Sequence, residues 1–170
     1  MRLELFSHLR HDTKTFDSGH DEMDRWLHRF AKRSQRDSLT RVFVLVDSLS
    51  EVPPKLPVLG YFALSMASVE VAGLTEADRT GLPRYPVPTV LMTRLAVSAP
   101  MQGRGLGRAL LVKAASKAML ASDAVAARLF AVDAIDEDAA GFYERFGFSR
   151  SPENRLRMYI SLARLAEGLG

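Results

Sequence analysis

The chain has 170 residues and a net charge of +3, which fits one domain with a substantial hydrophobic core. It contains no cysteine, and this excludes disulfides, thiolate metal ligands and a cysteine nucleophile. No apolar run approaches about 18 residues, and the start, MRLELFSHLR, lacks the apolar core of a secretory signal, so we expect a cytoplasmic protein without a transmembrane helix.

The first half of the chain alternates between strand-like and helix-like patterns. The predicted elements are a strand at 2–6, a helix from Asp17 or Ser18 to about Arg36, and strands at 42–46 and 58–69 joined by a Pro- and Ser-rich loop, SLSEVPPKLP. Asp17 or Ser18 would cap the helix. Its buried side is expected to carry Met23, Trp26, Leu27 and Phe30, which recur at helical spacing.

The second half begins with a stretch rich in proline. Its predicted elements are an ordered surface excursion at 73–89, a strand at 90–97, a helix at 104–121, a strand at 128–134, a short helix at 136–147 and a strand at 156–162. Gly147 is expected to stop the short helix. The order β-α-β-β-β-α-β-α-β predicts an α/β (α+β) fold, with a mixed central sheet of about six or seven strands flanked by helices in a single domain over 1–170.

A glycine-rich stretch, QGRGLGRALL, lies between the strand at 90–97 and the helix that follows it. Glycine lets the backbone approach a ligand, and the first amides of a helix attract anions, so this stretch predicts a pyrophosphate site. Arg104 and Arg108 add positive charge. The Walker and dinucleotide motifs do not fit, because Arg108 follows Gly107 where those motifs need lysine or glycine. A plain tight turn into a helix is the alternative.

Residues 102–107 match the signature Q/R-x-x-G-x-G/A of the GNAT acetyltransferases, which the chain resembles. MTRLAV (92–97) precedes the signature and AAGFYERFGF (139–148) follows it, in the order and spacing that this family shows. The resemblance implies a GNAT fold and acetyl-CoA as the cofactor. It further implies that the amides of residues 103–108 bind the pyrophosphate and that the backbone of residues 95–97 pairs with the pantetheine arm.

The resemblance assigns a role to each residue that matches the family pattern. The implied cofactor-binding residues are Leu95, Ala96, Val97, Gln102, Gly103, Arg104, Gly105, Leu106, Gly107, Arg108 and Asp136. Asp136 departs from the pattern, because many relatives have asparagine there. Tyr143 stands where relatives direct a tyrosine hydroxyl at the CoA sulfur, and a backbone N–H near Val97 would polarise the acetyl carbonyl. The alternative role of Tyr143 is that of a core aromatic beside Phe142 and Phe146.

The chemistry expected at this site is direct transfer without a protein base. Lack of cysteine excludes an acetyl-enzyme through sulfur, and TVLMTRLAVSAP (89–100) holds no carboxylate. An α-amine, with a pKa of about 8, needs less help than a lysine with a pKa near 10.4. His8 and His11 have the spacing of metal ligands, but we expect local hydrogen bonding and no metal site.

The first predicted helix carries a stripe of basic residues opposite its apolar side. Its members are Arg25, Arg29, Lys32, Arg33 and Arg36. A solvated surface explains such a stripe, and so does contact with a nucleic-acid backbone. Arginine is 18 of the 23 basic residues, a number that a GC-rich gene also explains. The candidate substrate-binding residues are Arg29, Arg33 and Arg84.

Three longer segments resemble the GNAT toxins of bacterial toxin–antitoxin pairs. They are FDSGHDEMDRWLHRFA (16–31), PRYPVPTVLMTRLAV (83–97) and FGFSRSPENRLRMYISLARL (146–165). The resemblance implies acetylation of the α-amine of aminoacyl-tRNA, which blocks translation, and a ribbon-helix-helix antitoxin as partner; it leaves a homodimer open. The alternatives are a GNAT enzyme acting on a small amine or a protein N-terminus, and a non-catalytic acyl-CoA-binding domain.

Overall fold

The computed structural model describes residues 1–47 and 55–169. In this part of the chain the helices and strands are β1 (Arg2–Leu5), β2 (His11–Asp12), α1 (Asp21–Arg29), α2 (Ala31–Arg36), β3 (Arg41–Val46), β4 (Leu56–Val69), α3 (Glu76–Arg79), β5 (Val87–Val97), α4 (Leu106–Ala124), β6 (Leu129–Asp133), α5 (Glu137–Glu144), β7 (Ser149–Arg150), β8 (Arg157–Ser161) and α6 (Leu162–Leu169). Short 3₁₀ turns lie at Val71–Gly73 and Ala99–Met101. Most of the predicted loop SLSEVPPKLP, residues 48–54, lies outside the described residues.

The chain forms two compact units, each built from two separate stretches. The first unit contains Met1–Ser65 and Arg94–Ala114, and the second contains Met66–Thr93 and Ala115–Gly170. Three long elements, β4, β5 and α4, contribute residues to both units. The single domain expected from the sequence stays a prediction.

In the first unit, antiparallel strands follow the order β1-β3-β4. Leu5 pairs with Phe43 at one end of β3, and a β-bulge interrupts the β3–β4 register between Leu45 and Val46. The two-residue strand β2 pairs in parallel with β4. Strand β3 buries alternate residues, as expected for a strand with one face against a core, whereas β4 buries a continuous run in its middle.

Helices α1 and α2 cover the core of the first unit. Leu27 and Ala31 are fully buried among the β3 and β4 side chains. The Trp26 ring stacks on Tyr61 with centroids 5.9 Å apart, and the Tyr61 hydroxyl donates a hydrogen bond to the Met23 carbonyl at 2.8 Å. Aromatic stacking and this hydrogen bond together fix α1 on β4.

In the second unit the strand order is β5-β6-β8-β7. β5 and β6 are parallel, whereas β8 is antiparallel to both of its neighbours. The core cluster of this unit contains the buried residues Val69, Leu74, Val87, Leu129, Ala131 and Tyr159. Mixed pairing of this kind confirms the predicted mixed sheet with flanking helices.

The first predicted helix is wrong in its start and in its continuity. Gly19 adopts φ +80° and separates Asp17 and Ser18 from the helix, so α1 begins at Asp21 after His20, which makes no side-chain cap. The helix ends at Phe30, which adopts φ −111° and ψ −27° and whose side chain is half exposed, and α2 starts at Ala31. Ala31 therefore takes the buried position expected of Phe30.

Other boundaries also differ from the sequence-based expectation. β5 begins at Val87 and contains Pro88, whose carbonyl accepts a hydrogen bond from the Arg128 N–H at 2.9 Å. Proline has no N–H to donate, so the pattern placed it in the excursion. The short strands β2 and β7 and the helix α6 were not predicted. No helix among residues 1–47 and 55–169 is long and apolar enough to cross a membrane.

Candidate active site

The glycine loop, residues 102–108, connects the end of β5 to α4 in the first unit. Gly103 and Gly105 adopt φ +72° and +78°, a region that side-chain-bearing residues rarely occupy. A Cβ at either position would meet no atom within 4 Å. These two glycines are therefore required by backbone conformation and not by crowding.

Helix α4 begins immediately after this turn. Its first main-chain hydrogen bond runs from the Ala109 N–H to the Gly105 carbonyl at 3.1 Å. The amides of Leu106, Gly107 and Arg108 belong to the first turn, which has no i−4 acceptor inside the helix. Their dipoles and the exposed side chains of Arg104 and Arg108 make this end of α4 electropositive. The loop thus fits a diphosphate.

The end of β5 packs closely against β4 in the first unit. Ala96 and Val97 are buried, while Leu95 is partly exposed. A Cβ on Gly60 of β4 would lie 3.1 Å from the Ala96 carbonyl oxygen and 2.8 Å from Leu110 Cδ1. Glycine at this position therefore allows the close approach of β4, β5 and α4.

Gln102 joins the glycine loop to two other segments of the first unit. Its side-chain Nε2 donates to the Val97 carbonyl at 3.0 Å and to the Ser18 carbonyl at 2.8 Å. The family resemblance implied that Gln102 belongs to the cofactor site, whereas its side chain contacts main-chain groups of the protein. This contact was not predicted, because the partner at Ser18 lies 84 residues away.

Tyr143 lies on α5 in the second unit. The carboxylate of Asp136 accepts a hydrogen bond from the Ala139 N–H at 2.8 Å and caps the helix, which gives this residue a structural role. Tyr143 is buried and contacts the Phe142 and Phe148 rings at 5.2 and 5.6 Å. Burial raises the pKa of the Tyr143 phenol above its ordinary value, so the hydroxyl keeps its proton.

Arg150 on β7 holds α5 in place through two carboxylates. Its guanidinium donates to Glu137 at 2.7 Å and to Glu144 at 2.6 Å, one residue after Tyr143. The hydrogen bond from Arg150 lowers the pKa of Glu144 below its usual value. Both ends of the helix that carries Tyr143 are thereby tied to one side chain.

The predicted basic stripe lies on α1 and α2 and is exposed. Its members Arg25, Arg29, Lys32, Arg33 and Arg36 all face solvent. Arg36 and Arg33 contact Asp37 at 2.8 and 3.4 Å, and the hydrogen bond from Arg36 lowers the pKa of that carboxylate. We call this surface the α1–α2 basic face.

The proline-rich excursion of the second unit is ordered and carries Arg84 at its surface. The Tyr159 hydroxyl accepts from the Thr75 N–H at 2.7 Å and donates to Asp78 at 2.9 Å, which anchors α3 to β8. Tyr85, beside Arg84, exposes 63% of its surface. Tyr85 lies in the segment between Pro83 and Pro86 and was not singled out from the sequence.

Two histidine rings form local hydrogen bonds: His11, as predicted, and His28, whose Nε2 lies 3.0 Å from the Phe16 carbonyl oxygen. His11 is buried, with Nδ1 accepting from the Ser7 N–H at 3.0 Å and Nε2 bonded to Glu4 at 3.0 Å. Arg10, followed by His11, lowers the pKa of Glu4 to about 2. Within residues 1–47 and 55–169, no three His, Asp or Glu side chains are arranged to hold a metal ion.

Residues 61–150 match the acetyltransferase (GNAT) domain family, and this match spans the glycine loop and α5. The chain belongs to the GNAT acetyltransferases. This membership confirms the predicted enzyme class, an N-acetyltransferase, and acetyl-CoA as the acetyl donor.

The relatives are more specific than the family. The chain is 33% identical to the tRNA-acetylating toxin of Mycobacterium tuberculosis over 88% of this chain and 85% of that protein. It resembles a tyrosine-to-phenylalanine mutant of KacT with a TM-score of 0.89 and 27% identity, covering 98% of this chain and 97% of that one. It also resembles AtaT complexed with acetyl-methionyl-tRNAfMet, with a TM-score of 0.88, 26% identity and the same coverage. The predicted resemblance to the GNAT toxins is confirmed.

Proposed function

We propose that this chain is a toxin that transfers an acetyl group from acetyl-CoA to the α-amine of aminoacyl-tRNA and so blocks translation. The observation that carries this proposal is its 33% identity to a tRNA-acetylating toxin over 88% of the chain. Similarity to AtaT in a complex with acetyl-methionyl-tRNAfMet supports the same substrate class. Aminoacyl-tRNA is a cytoplasmic molecule, so we assign the reaction to the cytoplasm.

The glycine loop is the proposed diphosphate site. Two features support this assignment: the positive φ of Gly103 and Gly105, and the first-turn N–H groups of α4, which have no acceptor inside the helix. Acetyl-CoA, when bound, supplies the activated acetyl thioester. The proposed cofactor-binding residues are Leu95, Ala96, Val97, Gln102, Gly103, Arg104, Gly105, Leu106, Gly107, Arg108 and Asp136. The carboxylate of Asp136 caps α5, so we assign this residue an indirect role, in which it fixes the start of the helix that carries Tyr143.

Tyr143 is the proposed catalytic residue. A thiol has a pKa of about 8.5 and a tyrosine about 10, so full proton transfer from tyrosine to the thiolate is uphill by roughly 2 kcal/mol. Burial raises the pKa of Tyr143 further and makes that transfer less favourable. We therefore assign Tyr143 the role of a hydrogen-bond donor to the departing sulfur, with a main-chain N–H near Val97 polarising the carbonyl.

The nucleophile is the neutral α-amine of the aminoacyl ester. Residues 89–100 contain no carboxylate that would act as a base, and an amine with a pKa near or below 8 is substantially neutral without one. The chain then needs to bind and orient the tRNA. Arg29, Arg33 and Arg84 are exposed and are the proposed phosphate contacts.

A ribbon-helix-helix antitoxin is the proposed partner. AtaT has been solved bound to the C-terminus of the antitoxin AtaR, and the present chain is 24% identical to that AtaT chain. A free toxin of this activity would arrest its own cell, which requires a protein that restrains it. Co-expression with the product of an adjacent small gene is expected to relieve growth arrest.

Acetylation of charged tRNA tests the proposal directly. Purified protein is incubated with labelled acetyl-CoA and either aminoacylated total tRNA or the same tRNA after deacylation. We expect label in the charged sample, released as N-acetyl amino acid by mild base, and none in the deacylated control. Label confined to free polyamines, other small amines or protein N-termini would contradict the toxin function, and absence of transfer to any amine would contradict catalysis.

A further inference from the structure

Hydrogen bonds tie the glycine loop to the segment that leads into α1. The Ala99 N–H donates to the Asp17 carbonyl at 2.8 Å, and Gln102 Nε2 donates to the Ser18 carbonyl at 2.8 Å. The same nitrogen donates to the Val97 carbonyl at 3.0 Å. The Gln102 amide therefore connects the loop, the end of β5 and Ser18, and the Ala99 N–H adds a separate link to Asp17, all within the first unit.

The connection continues from Ser18 into the helix. Ser18 is 3% exposed, and both its N–H and its hydroxyl donate to the Asp24 carboxylate, at 3.0 and 2.6 Å. Asp24 lies in the first turns of α1, whose N-terminus has no side-chain cap from His20. The Ser18–Asp24 hydrogen bonds thus join the segment before the helix to α1, but they do not involve the N–H groups of its first turn. A chain of hydrogen bonds therefore runs from Gln102 through Ser18 to Asp24 of α1.

The role of Gln102 requires two donors directed at two carbonyls. A carboxamide NH2 group carries two N–H donors on one nitrogen, and a guanidinium carries a fork of donors. A carboxylate has no donor and would repel both carbonyl oxygens. Glutamine and arginine, the two residues that the signature allows at this position, share this donor capacity and differ in charge.

We propose that Gln102 is a positioning residue that couples occupation of the glycine loop to the position of α1. A diphosphate held by the loop amides fixes the loop, and the Gln102–Ser18–Asp24 hydrogen bonds pass that constraint to the helix that carries Arg29 of the α1–α2 basic face. Cofactor binding would in this way order the surface that receives the acceptor. The inference rests on the proposed cofactor role of the glycine loop, but it does not depend on the identity of the acceptor.

Hydrogen–deuterium exchange with CoA in the absence of tRNA tests this coupling. In the wild-type protein we expect CoA to slow exchange in the glycine loop and, at least about threefold, in residues 18–24. In Gln102→Glu the protection of residues 18–24 is lost and the dissociation constant for CoA rises about tenfold, as expected when two hydrogen bonds are removed. Gln102→Arg retains both effects within about threefold.

Gln35→Glu is the matched control. Gln35 also bridges main-chain groups of the first unit, with Nε2 donating to the Phe6 carbonyl at 2.7 Å and Oε1 accepting from the Val42 N–H at 3.0 Å. The substitution removes a comparable donor without touching the glycine loop, so CoA-dependent protection of residues 18–24 is retained. Circular dichroism and the melting temperature of each variant separate loss of coupling from loss of folding.

The outcomes distinguish this inference from the proposed function. Protection of the glycine loop without protection of residues 18–24 in the wild-type protein would overturn the coupling and leave the cofactor site standing. Equal effects of Gln102→Arg and Gln102→Glu would also overturn it, because the coupling would then not depend on the hydrogen-bond donors of residue 102. Absence of protection at both segments would overturn the coupling and the cofactor site together.

Discussion

The glycine loop and the α1–α2 basic face both carry positive potential, but they produce it differently. The loop uses main-chain amides at the start of α4, presented by Gly103 and Gly105 at positive φ. The basic face uses long, exposed side chains on α1 and α2, such as Arg33, which exposes 77% of its side chain. A rigid main-chain site recognises one small anion, whereas a flexible charged surface accommodates an extended polyanion. This difference matches the two substrates of the proposed reaction.

The largest effect is expected from a change at Tyr143, which lies outside both the glycine loop and the α1–α2 basic face. Tyr143→Phe removes the proposed hydrogen bond to the departing sulfur and should lower turnover by about a hundredfold or more, as the loss of a transition-state donor does in other acyl transfers. The KM values for acetyl-CoA and for charged tRNA should stay within about threefold of wild type. Steady-state kinetics with both substrates measures this.

Tyr61→Phe controls for loss of a buried hydroxyl. Tyr61 donates to the Met23 carbonyl at 2.8 Å and so stabilises the packing of α1. Its replacement should cost about 1 kcal/mol of folding free energy and leave turnover near the wild-type value. Near-normal turnover of Tyr143→Phe would remove Tyr143 from the mechanism.

The next largest effect is expected from a change in the glycine loop. Gly105→Ala forces a side chain into φ +78°, at a cost of about 1–2 kcal/mol, so the dissociation constant for acetyl-CoA should rise about tenfold by calorimetry. Gly81→Ala imposes the same strain, at φ +78° and with equally open space, on the excursion of the second unit. It should leave acetyl-CoA affinity unchanged. Equal losses from both variants would mean that strain alone, and not the glycine loop, determines affinity.

Binding of charged tRNA to the α1–α2 basic face should depend on its positive charge and on the salt concentration. Replacing Arg29 and Arg33 by alanine is expected to raise the KM for charged tRNA by about tenfold at low salt and to reduce the slope of log K against log[salt] by about one to two. Acetyl-CoA affinity should not change. Arg164→Ala, an exposed arginine on α6, removes a charge elsewhere and serves as the control. An unchanged salt slope in the double variant would contradict the proposed tRNA contacts.

The smallest effect is that of pH. With an acceptor pKa of about 7.5 to 8, the rate per enzyme should rise about four- to eightfold from pH 7 to pH 8.5 as the amine loses its proton. Because burial raises the pKa of Tyr143, its hydroxyl stays protonated through this window, and its contribution is lost only above about pH 10. A decline between pH 8 and 9 that Tyr143→Phe abolishes would contradict this assignment.

The same contrast explains what was predictable from the sequence. The glycine loop was predictable because glycines ahead of a helix indicate a turn at positive φ, and this signal is local in the sequence. The start of α1 could not, because the expected cap residues Asp17 and Ser18 are held by Gly19 and by Asp24 in an arrangement that no short-range pattern distinguishes from an N-cap. The break at Phe30 was missed for a related reason, since the burial of Ala31 outweighs the apolar periodicity.

Contacts between segments that are far apart in the sequence could not be predicted. The pairings of Gln102 with Ser18 and of Tyr159 with Asp78 join residues more than eighty positions apart. Such contacts depend on the tertiary fold and leave no signal in local composition. The cap that Asp136 forms on α5 is a local contact, but the sequence pattern placed this residue inside the helix, and the family resemblance assigned it to the cofactor site.

Amide chemical shifts of the glycine loop test the central claim most directly. A chain of 170 residues is accessible to backbone NMR, so 15N-labelled protein can be titrated with CoA and, separately, with pantetheine, which lacks the diphosphate. We predict that the largest CoA-induced shifts occur at the amides of residues 103–108 and that pantetheine leaves those amides unchanged. Unperturbed loop amides in the presence of saturating CoA, with shifts concentrated elsewhere, would contradict the account.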